Sequence, residues 1–392
     1  MIICCQLGGY AILRSLGPYG IDLYAVEADP DSPALRSRYC KQSYIQQFNR
    51  NAPEDYLALL LRIARDIGRK AILIPTSDEL SIFVARNREA LREHFIFPYN
   101  SGDLVHGLAD KRRMYELALE HQVPVPTTLF PQNVEDVIAA LDDLRFPVML
   151  KGIRGDRMQE RTGERMVPVA AREDLVSEYE KYEDPEVPNL MLQEMIPGDD
   201  DQVYIFNGYF NAQSKCLAGY TGHKLRQFPV HKGCASLGEC RTNQTVADQT
   251  IRLMQAVGYQ GILDIGYRLD PRDGQYKVLD INPRLGQAMR IFVAENGMDV
   301  ARALYLDLTG QAVPESPAIE GRRWVIEDFD LVSSLNYYKE GTLDVLKWVK
   351  SYGTVQETAW MNPADPLPGL VCGQRFAKKM ALWMLKSVRG TA

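Results

Sequence analysis

The chain has 392 residues, 46% of them apolar and 24% charged, which is ordinary for a globular protein of roughly two to three domains. A net charge of −6 argues against a general nucleic-acid binder, which normally carries a basic excess. MIICCQLGGYAI lacks the basic start and long apolar stretch of a signal peptide, no run approaches the ~18 apolar residues of a membrane span, and the seven cysteines contain no C-x-x-C; reduced thiols in a cytoplasmic protein are expected, not a disulfide framework or a zinc site.

The first 105 residues open with an apolar run, Ile2–Leu7, then Gly8-Gly9, a helix over Tyr10–Leu16 and a strand over Asp22–Glu27. This is the start of an open parallel sheet. G-x-G-x-x-G is incomplete, which weakens a dinucleotide reading. Glu27 and Asp29 read first as caps of the next segment. An amphipathic helix spans Pro53–Gly68, with Leu57, Leu60, Leu61 and Ala64 on one stripe. The strand Ala71–Pro75 runs into Thr76-Ser77-Asp78-Glu79 and a helix through Leu91. Ser77 or Asp78 should cap that helix. Both also stand at a strand's carboxyl end, where open α/β sheets place substrate contacts.

Residues 106–188 begin with a helix, DKRRMYELALEHQ, and a second follows from about Val134 to Leu144. The strand Phe146–Lys151 ends on a lysine. That ammonium either snorkels to water or meets an anion such as a nucleotide phosphate. GIRGDRMQERTGERM comes next, with three glycines, four arginines and no clean period. It reads as a mobile lid over phosphates, the alternative being a solvated hairpin turn.

From residue 189 to about 312, Asn189–Glu194 is a strand, Asp199-Asp200-Asp201 a solvated acidic loop, and Gln202–Phe206 with Tyr209–Leu217 a hairpin about Asn207-Gly208. Lys224, Arg226, His231 and Lys232 form a second basic segment, with Lys224 and Arg226 as substrate candidates. A helix spans Thr245–Val257. Gly261–Leu269 and Tyr276–Asn282 then form a hairpin about Asp273-Gly274. Alternation sends Leu279 and Ile281 one way and Val278, Asp280 and Asn282 the other, with Pro283 ending the strand and Arg284 just beyond. Asp264, Gly266 and Arg268 share a face of the partner strand. Asp264, Asp280 and Asn282 are oxygen donors suited to Mg²⁺ or Mn²⁺, and Arg284 suits a phosphate or carboxylate. The bland alternative is an outward-facing polar strand.

Residues 313–392 form an extension: a linker Glu315–Glu320, a strand Trp324–Phe329, a helix bearing Leu343, Val345, Leu346 and Val349, and a basic amphipathic helix Arg375–Arg389. The last helix docks on the protein body or on a partner subunit, as in a homodimer. The alternative is peripheral contact with an anionic membrane at its inner face.

With these pieces in order, the chain resembles the ATP-grasp superfamily, and within it the carboxylate–amine ligases of D-aspartate-ligase type. The resemblance rests on GGYAILRSLGPYGIDLYAVEADP, DKRRMYELALEHQVPVPTT, FPVMLKG, LMLQEMIPGDD and GILDIGYRLDPRDGQYKVLDINPR. It implies an α/β and α+β fold: a Rossmann-like domain over 1–105, an ATP-grasp N-subdomain with its lid over 106–188 and a C-subdomain with the metal site over 189–312. It implies that Lys111 and Lys151 contact ATP phosphates, and that Gln193, Glu194 and the backbone at Met195–Ile196 bind the nucleotide, with the adenine edge read near Glu194. Asp280 and Asn282 would hold Mg²⁺, and Arg284 and Lys151 would act on the reacting phosphate. The implied reaction joins a small carboxylate to an amine through an acyl phosphate. Two departures stand out. Gly266 occupies a position where the family commonly has an acid, with Asp264 two residues away, and Asp280 replaces the usual glutamate. An ATP-binding regulator without turnover is therefore the second expectation.

Overall fold

The computed structural model describes residues 2, 3 and 6–389. Its N-terminal part contains β1 (Ile2–Ile3), β2 (Leu23–Glu27), β3 (Cys40–Ile45), β4 (Ala71–Ile72), β5 (Ile74–Pro75) and β6 (Phe95–Ile96). Four of these form a parallel sheet in the order β3-β2-β1-β5, and β4 pairs with β6. The first helix is longer than its sequence suggests and starts at Leu7. Gly8 sits in its first turn, where an added Cβ would lie 3.4 Å from Leu285 and 3.8 Å from the Gly286 carbonyl. The missing side chain lets this helix end approach the chain just past Arg284.

A second sheet holds β7 (Thr128–Leu129), β8 (Val148–Gly152), β9 (Met166–Val169) and β10 (Leu190–Glu194), antiparallel in the order β7-β10-β8-β9. Val148, Leu150, Leu190 and Leu192 are buried together in one core. Strand alternation therefore turns Lys151 and Gln193 to the other face.

The third sheet holds β11 (Val203–Phe210), β12 (Cys216–Phe228), β13 (Cys234–Cys240), β14 (Gly261–Asp270), β15 (Gln275–Asn282), β16 (Arg323–Val325) and β17 (Val355–Thr358). Its order is β15-β14-β11-β12-β13-β16-β17, antiparallel except for the last pair. Leu263, Ile265 and Tyr267 of β14 pack with Phe206, Phe210, Val278 and Ile281 in one core. Asp264, Gly266 and Arg268 face the other way, half-buried, as alternation predicts.

Five local expectations fail, each for a physical reason. The lid segment is a helix, Gly155–Thr162, not an irregular loop: Met158 anchors it in a core at 1% exposure, Arg157 pairs with Asp184 at 2.6 Å, and Gly163 ends it at φ 80°. Asn207-Gly208 is not a turn. β11 runs through it, because Asn207 is fully buried in the sheet, and the chain turns at Asn211–Lys215 instead. β15 carries a bulge: Gly266 pairs with Asp280 and Tyr267 with Val278, leaving Leu279 extra. Val278 thus joins Ile281 in the core, against simple alternation. Trp324–Phe329 is only a three-residue strand, β16, because a helix starts at Glu327, whose carboxylate accepts the Met361 N–H at 2.7 Å. The acidic loop is not wholly solvated. Asp200 is gripped by Tyr337, Gln227 and His231.

In the extension, the final helix runs from Pro366 to Arg389. Arg375 pairs with Asp29 at 2.8 Å, so this helix docks on the N-terminal part of the same chain. No described helix is long and apolar enough to cross a membrane. Cys40, Cys216, Cys234, Cys240 and Cys372 are free thiols.

Candidate active site

Four elements bring charged groups to one place. The first is the helix Lys111–Glu120, capped by the Asp110 carboxylate on the Arg113 N–H at 3.0 Å. Capping fixes Lys111 in the first turn, and its ammonium reaches Asp280 Oδ1. One turn on, Tyr115 donates to the Leu279 carbonyl at 3.0 Å, so the helix hooks the bulge directly. The second is β8, whose Lys151 donates to Gln193 Oε1. Gln193 in turn donates to Tyr115 at 2.7 Å and to Thr128 at 2.9 Å. Burial, reinforced by the charge of Lys111, pushes Lys151 down to about 8.

The third element is the open end of the β14–β15 hairpin. Asp264 is opposite Asn282, and Gly266 opposite Asp280, so all four share a face. Asn282 Nδ2 donates to Asp280 at 3.1 Å, and Arg284 Nη2 donates to Asn282 Oδ1 at 3.0 Å. Burial works against the Asp280 charge, but Lys111 and then Arg284 hold its carboxyl below the usual range. Burial, reinforced by Asp280, pushes Asp264 up to about 6 even though Arg284 opposes this. The fourth element is the N-terminus of the helix Asp78–Arg86. Ser77 caps it, accepting the Leu80 N–H at 3.3 Å, and Asp78 accepts from Arg284 Nε at 2.9 Å. Asp78 thus belongs to the site, and Ser77 supports it from the neighbouring position.

The donor set suits a hard divalent cation. Two carboxylates and an amide oxygen share one sheet face, where burial, with Asp280 adding to it, raises the carboxyl of Asp264. Among the described residues, no three His, Cys, Asp or Glu side chains cluster as a metal cage. Such a set leaves coordination positions for phosphate oxygens. Opposite Asp280, a Cβ on Gly266 would meet nothing within 4 Å. An added Cβ on Gly286 would meet Asp264 Oδ2, so that glycine is what admits the carboxylate.

Three predicted contacts take other roles. Arg226 is engaged elsewhere: its guanidinium forks onto buried Asp330 at 2.8 and 2.7 Å and donates to Ser351 at 3.0 Å, tying β12 to the extension. It is a structural clamp, not a substrate contact. The Glu194 carboxylate accepts the Thr127 N–H at 2.9 Å and pairs with Arg272 at 3.0 Å, and its own N–H donates to the Thr127 carbonyl at 3.0 Å, so neither group is free to read a base. The Met195 N–H is held by the Pro147 carbonyl at 3.1 Å, while the Ile196 side chain is buried. Lys224 remains near the site. It donates to the Gly233 carbonyl at 2.8 Å, and burial lowers its affinity for a proton although Asp264 and Asp280 oppose this.

Sequence reasoning missed Tyr115, Thr128 and Asn207. Tyr115 was legible, since it lies four residues after Lys111 on the same helix face. Asn207, the cross-strand neighbour of Asp264 on β11, was masked by its resemblance to a turn.

Residues 234–306 match the family described as carbamoyl-phosphate synthase L chain, ATP binding domain. Over 319 residues the chain is 26% identical to a D-aspartate ligase of Enterococcus faecium, covering 77% of this chain and 74% of that protein. The chain is similar to ATP-grasp ligases and shares their fold. Its fold superposes on N5-carboxyaminoimidazole synthetase from Staphylococcus aureus complexed with ADP, with a TM-score of 0.63 at 14% identity over 86% of this chain and 85% of the other. An L-amino acid ligase from Bacillus licheniformis gives 0.61 at 14% identity over 82% and 77%. The matched segment contains both strands of the β14–β15 hairpin and Arg284.

Proposed function

We propose that this chain is an ATP-dependent ligase that joins a small carboxylate to an amine, releasing ADP and phosphate. Its relatives by sequence and fold are ligases and synthetases. The observation that carries the reading is the meeting of Lys111, Lys151 and Arg284 with Asp264, Asp280 and Asn282 between the second and third sheets.

The roles follow from charge and reach. Lys151 and Lys111 bind the phosphates of ATP, with Lys111 passing from Asp280 to the nucleotide. Gln193 orients Lys151, and the backbone at Glu194–Ile196 lies at the adenine end. Asp264, Asp280 and Asn282 would hold Mg²⁺, with Mn²⁺ as a substitute. The bound cation supplies neutralisation of phosphate charge. A substrate carboxylate oxygen attacks the γ-phosphorus, and the bond to the ADP oxygen breaks. The amine nitrogen then attacks the acyl carbon, phosphate leaves, and the amine proton passes to solvent. Arg284, held by Asp78 and Asn282, stays aimed at the transferred phosphoryl group. Lys224 faces the carboxylate substrate.

Assay of ADP release with Mg·ATP and pools of carboxylic acids and amines tests this. ADP formation that requires both substrates is expected. Tight ATP binding with no ADP from any pool would instead favour a nucleotide-binding regulator, the reading that Gly266 supports. Peripheral membrane contact through 375–389 is a separate proposal, resting on the basic amphipathic pattern of that helix. Failure to float with anionic vesicles would remove it.

A further inference from the structure

Away from the ATP-grasp site, charge is unbalanced at one other place. Glu357 on β17 is surrounded by three guanidinium groups. Arg14 reaches it at 2.7 Å, Arg290 forks onto it with two bonds of 2.9 Å, and Arg322 also donates to it. Arg290 reaches Asp299 as well, at 2.8 Å. Three arginines therefore face two carboxylates, and Asp299 already accepts from Ser15 and the Arg302 N–H. The four side chains of the Glu357 cluster keep no more than 14% exposure. The Nε groups of Arg14 and Arg322 are buried with no hydrogen-bond partner. The remaining Arg14 donors are taken by the Thr358 and Ala359 carbonyls, but the surplus positive charge is costly in a low-dielectric setting unless an anion is supplied.

Beside Arg14 and Arg290 lies a cavity of about 340 Å³ whose polar walls are Arg14, Arg290, Gln356, Glu357, Thr358 and Asn362; Arg322 does not line it. That volume suits a small molecule. Its walls come from three separate stretches: the helix Leu7–Leu16, the chain following β15, and β17 with the segment after it. Arginine forks match the planar oxygens of carboxylates and the oxygens of phosphate.

We propose that this cavity is a binding site for a small anion, a carboxylate or a phosphate, distinct from the ATP site. The ligand's negative charge offsets the one guanidinium that Glu357 and Asp299 leave uncompensated. Occupancy would brace the helix Leu7–Leu16, whose first turn touches the chain beside Arg284, so the site is placed to report on the catalytic end. The inference does not depend on the ligase reading, because it concerns binding alone.

Isothermal titration of the full chain with inorganic phosphate and, separately, malonate, at fixed ionic strength, tests it. Saturable binding of at least one is expected, and the stronger of the two names the ligand chemistry. Lys151→Met, which removes a cation from the ATP site, should leave this binding within about twofold, whereas Gln356→Glu, which adds a charge to the cavity wall and leaves every arginine in place, should weaken it about tenfold. Arg14→Gln should do the same, and if it fails to fold, Gln356→Glu carries the test. No saturable binding of either anion overturns the proposal. So does binding that survives Gln356→Glu unchanged, or that disappears in Lys151→Met.

Discussion

The two ends of the β14–β15 hairpin carry charged clusters of similar composition and opposite character. At the turn end, Asp270 has no exposure and accepts from Arg272 and from Lys277 Nζ, the latter at 2.6 Å, while Arg272 also pairs with Glu194. The Arg272 hydrogen bonds, then Lys277, hold the Asp270 carboxyl far below its ordinary range. At the open end, burial instead raises Asp264, lowers Lys151 and lowers Lys224. One cluster is closed by its own partners. In the other, the buried Lys151 and Lys224 bond neutral oxygens and not carboxylates, an arrangement suited to taking up phosphate charge. Charge content alone therefore does not separate structure from function; completeness of pairing does.

The largest test of this contrast is at Asp280. Asp280→Asn, or Asn282→Ala, should lower Mg·ATP-dependent ADP release by at least about 1000-fold, with the urea midpoint nearly unchanged. A large drop in stability with turnover retained would reverse the two clusters' roles. Lys151→Met should cost about 100-fold in kcat/KM, with a rise in the KM for ATP, measured by steady-state kinetics.

Asp270→Asn should do the reverse, lowering unfolding free energy by about 3 kcal/mol while the folded fraction still turns over. Because the Asp270 carboxyl is depressed in the folded state, this stabilisation is fully present at neutral pH and fades only as acid protonates it. A pH series isolates Lys151, whose charged form is lost above about 8 in the free protein. ATP affinity should weaken as pH rises past that value, approaching about tenfold per pH unit, and the slope should flatten in Lys151→Met. The smallest effect is expected at Gly266, where Gly266→Glu finds open space beside Asp280. It should tighten the apparent Mg²⁺ affinity by only a few-fold, since Asp264 already serves that face. No change in the Mg²⁺ titration would mean that Asp264 fully fills the role.

Much of this was legible in the residue order. Period-2 alternation placed Asp264, Gly266 and Arg268 together, Asp110 marked a helix start that presents Lys111, and FPVMLK ended a strand on Lys151. These are local properties, set by backbone geometry and by caps within a few residues. The helical form of Gly155–Thr162 was not legible, because its stability comes from Met158 in a core formed by residues far along the chain.

Pairing partners were equally invisible. Lys224 and Arg226 look equivalent in sequence, yet Arg226 is matched by Asp330 from the extension while Lys224 stays near the open cluster. The bulge at Leu279 reset the faces of β15, and only the pairing with β14 and the hook from Tyr115 reveal it. The sequence by itself thus determined which residues could do phosphate and cation chemistry and which strands would carry them. The tertiary structure alone decided which charges are left short of partners, because pairing depends on groups separated by tens to hundreds of residues that only the folded sheets bring within a few ångströms.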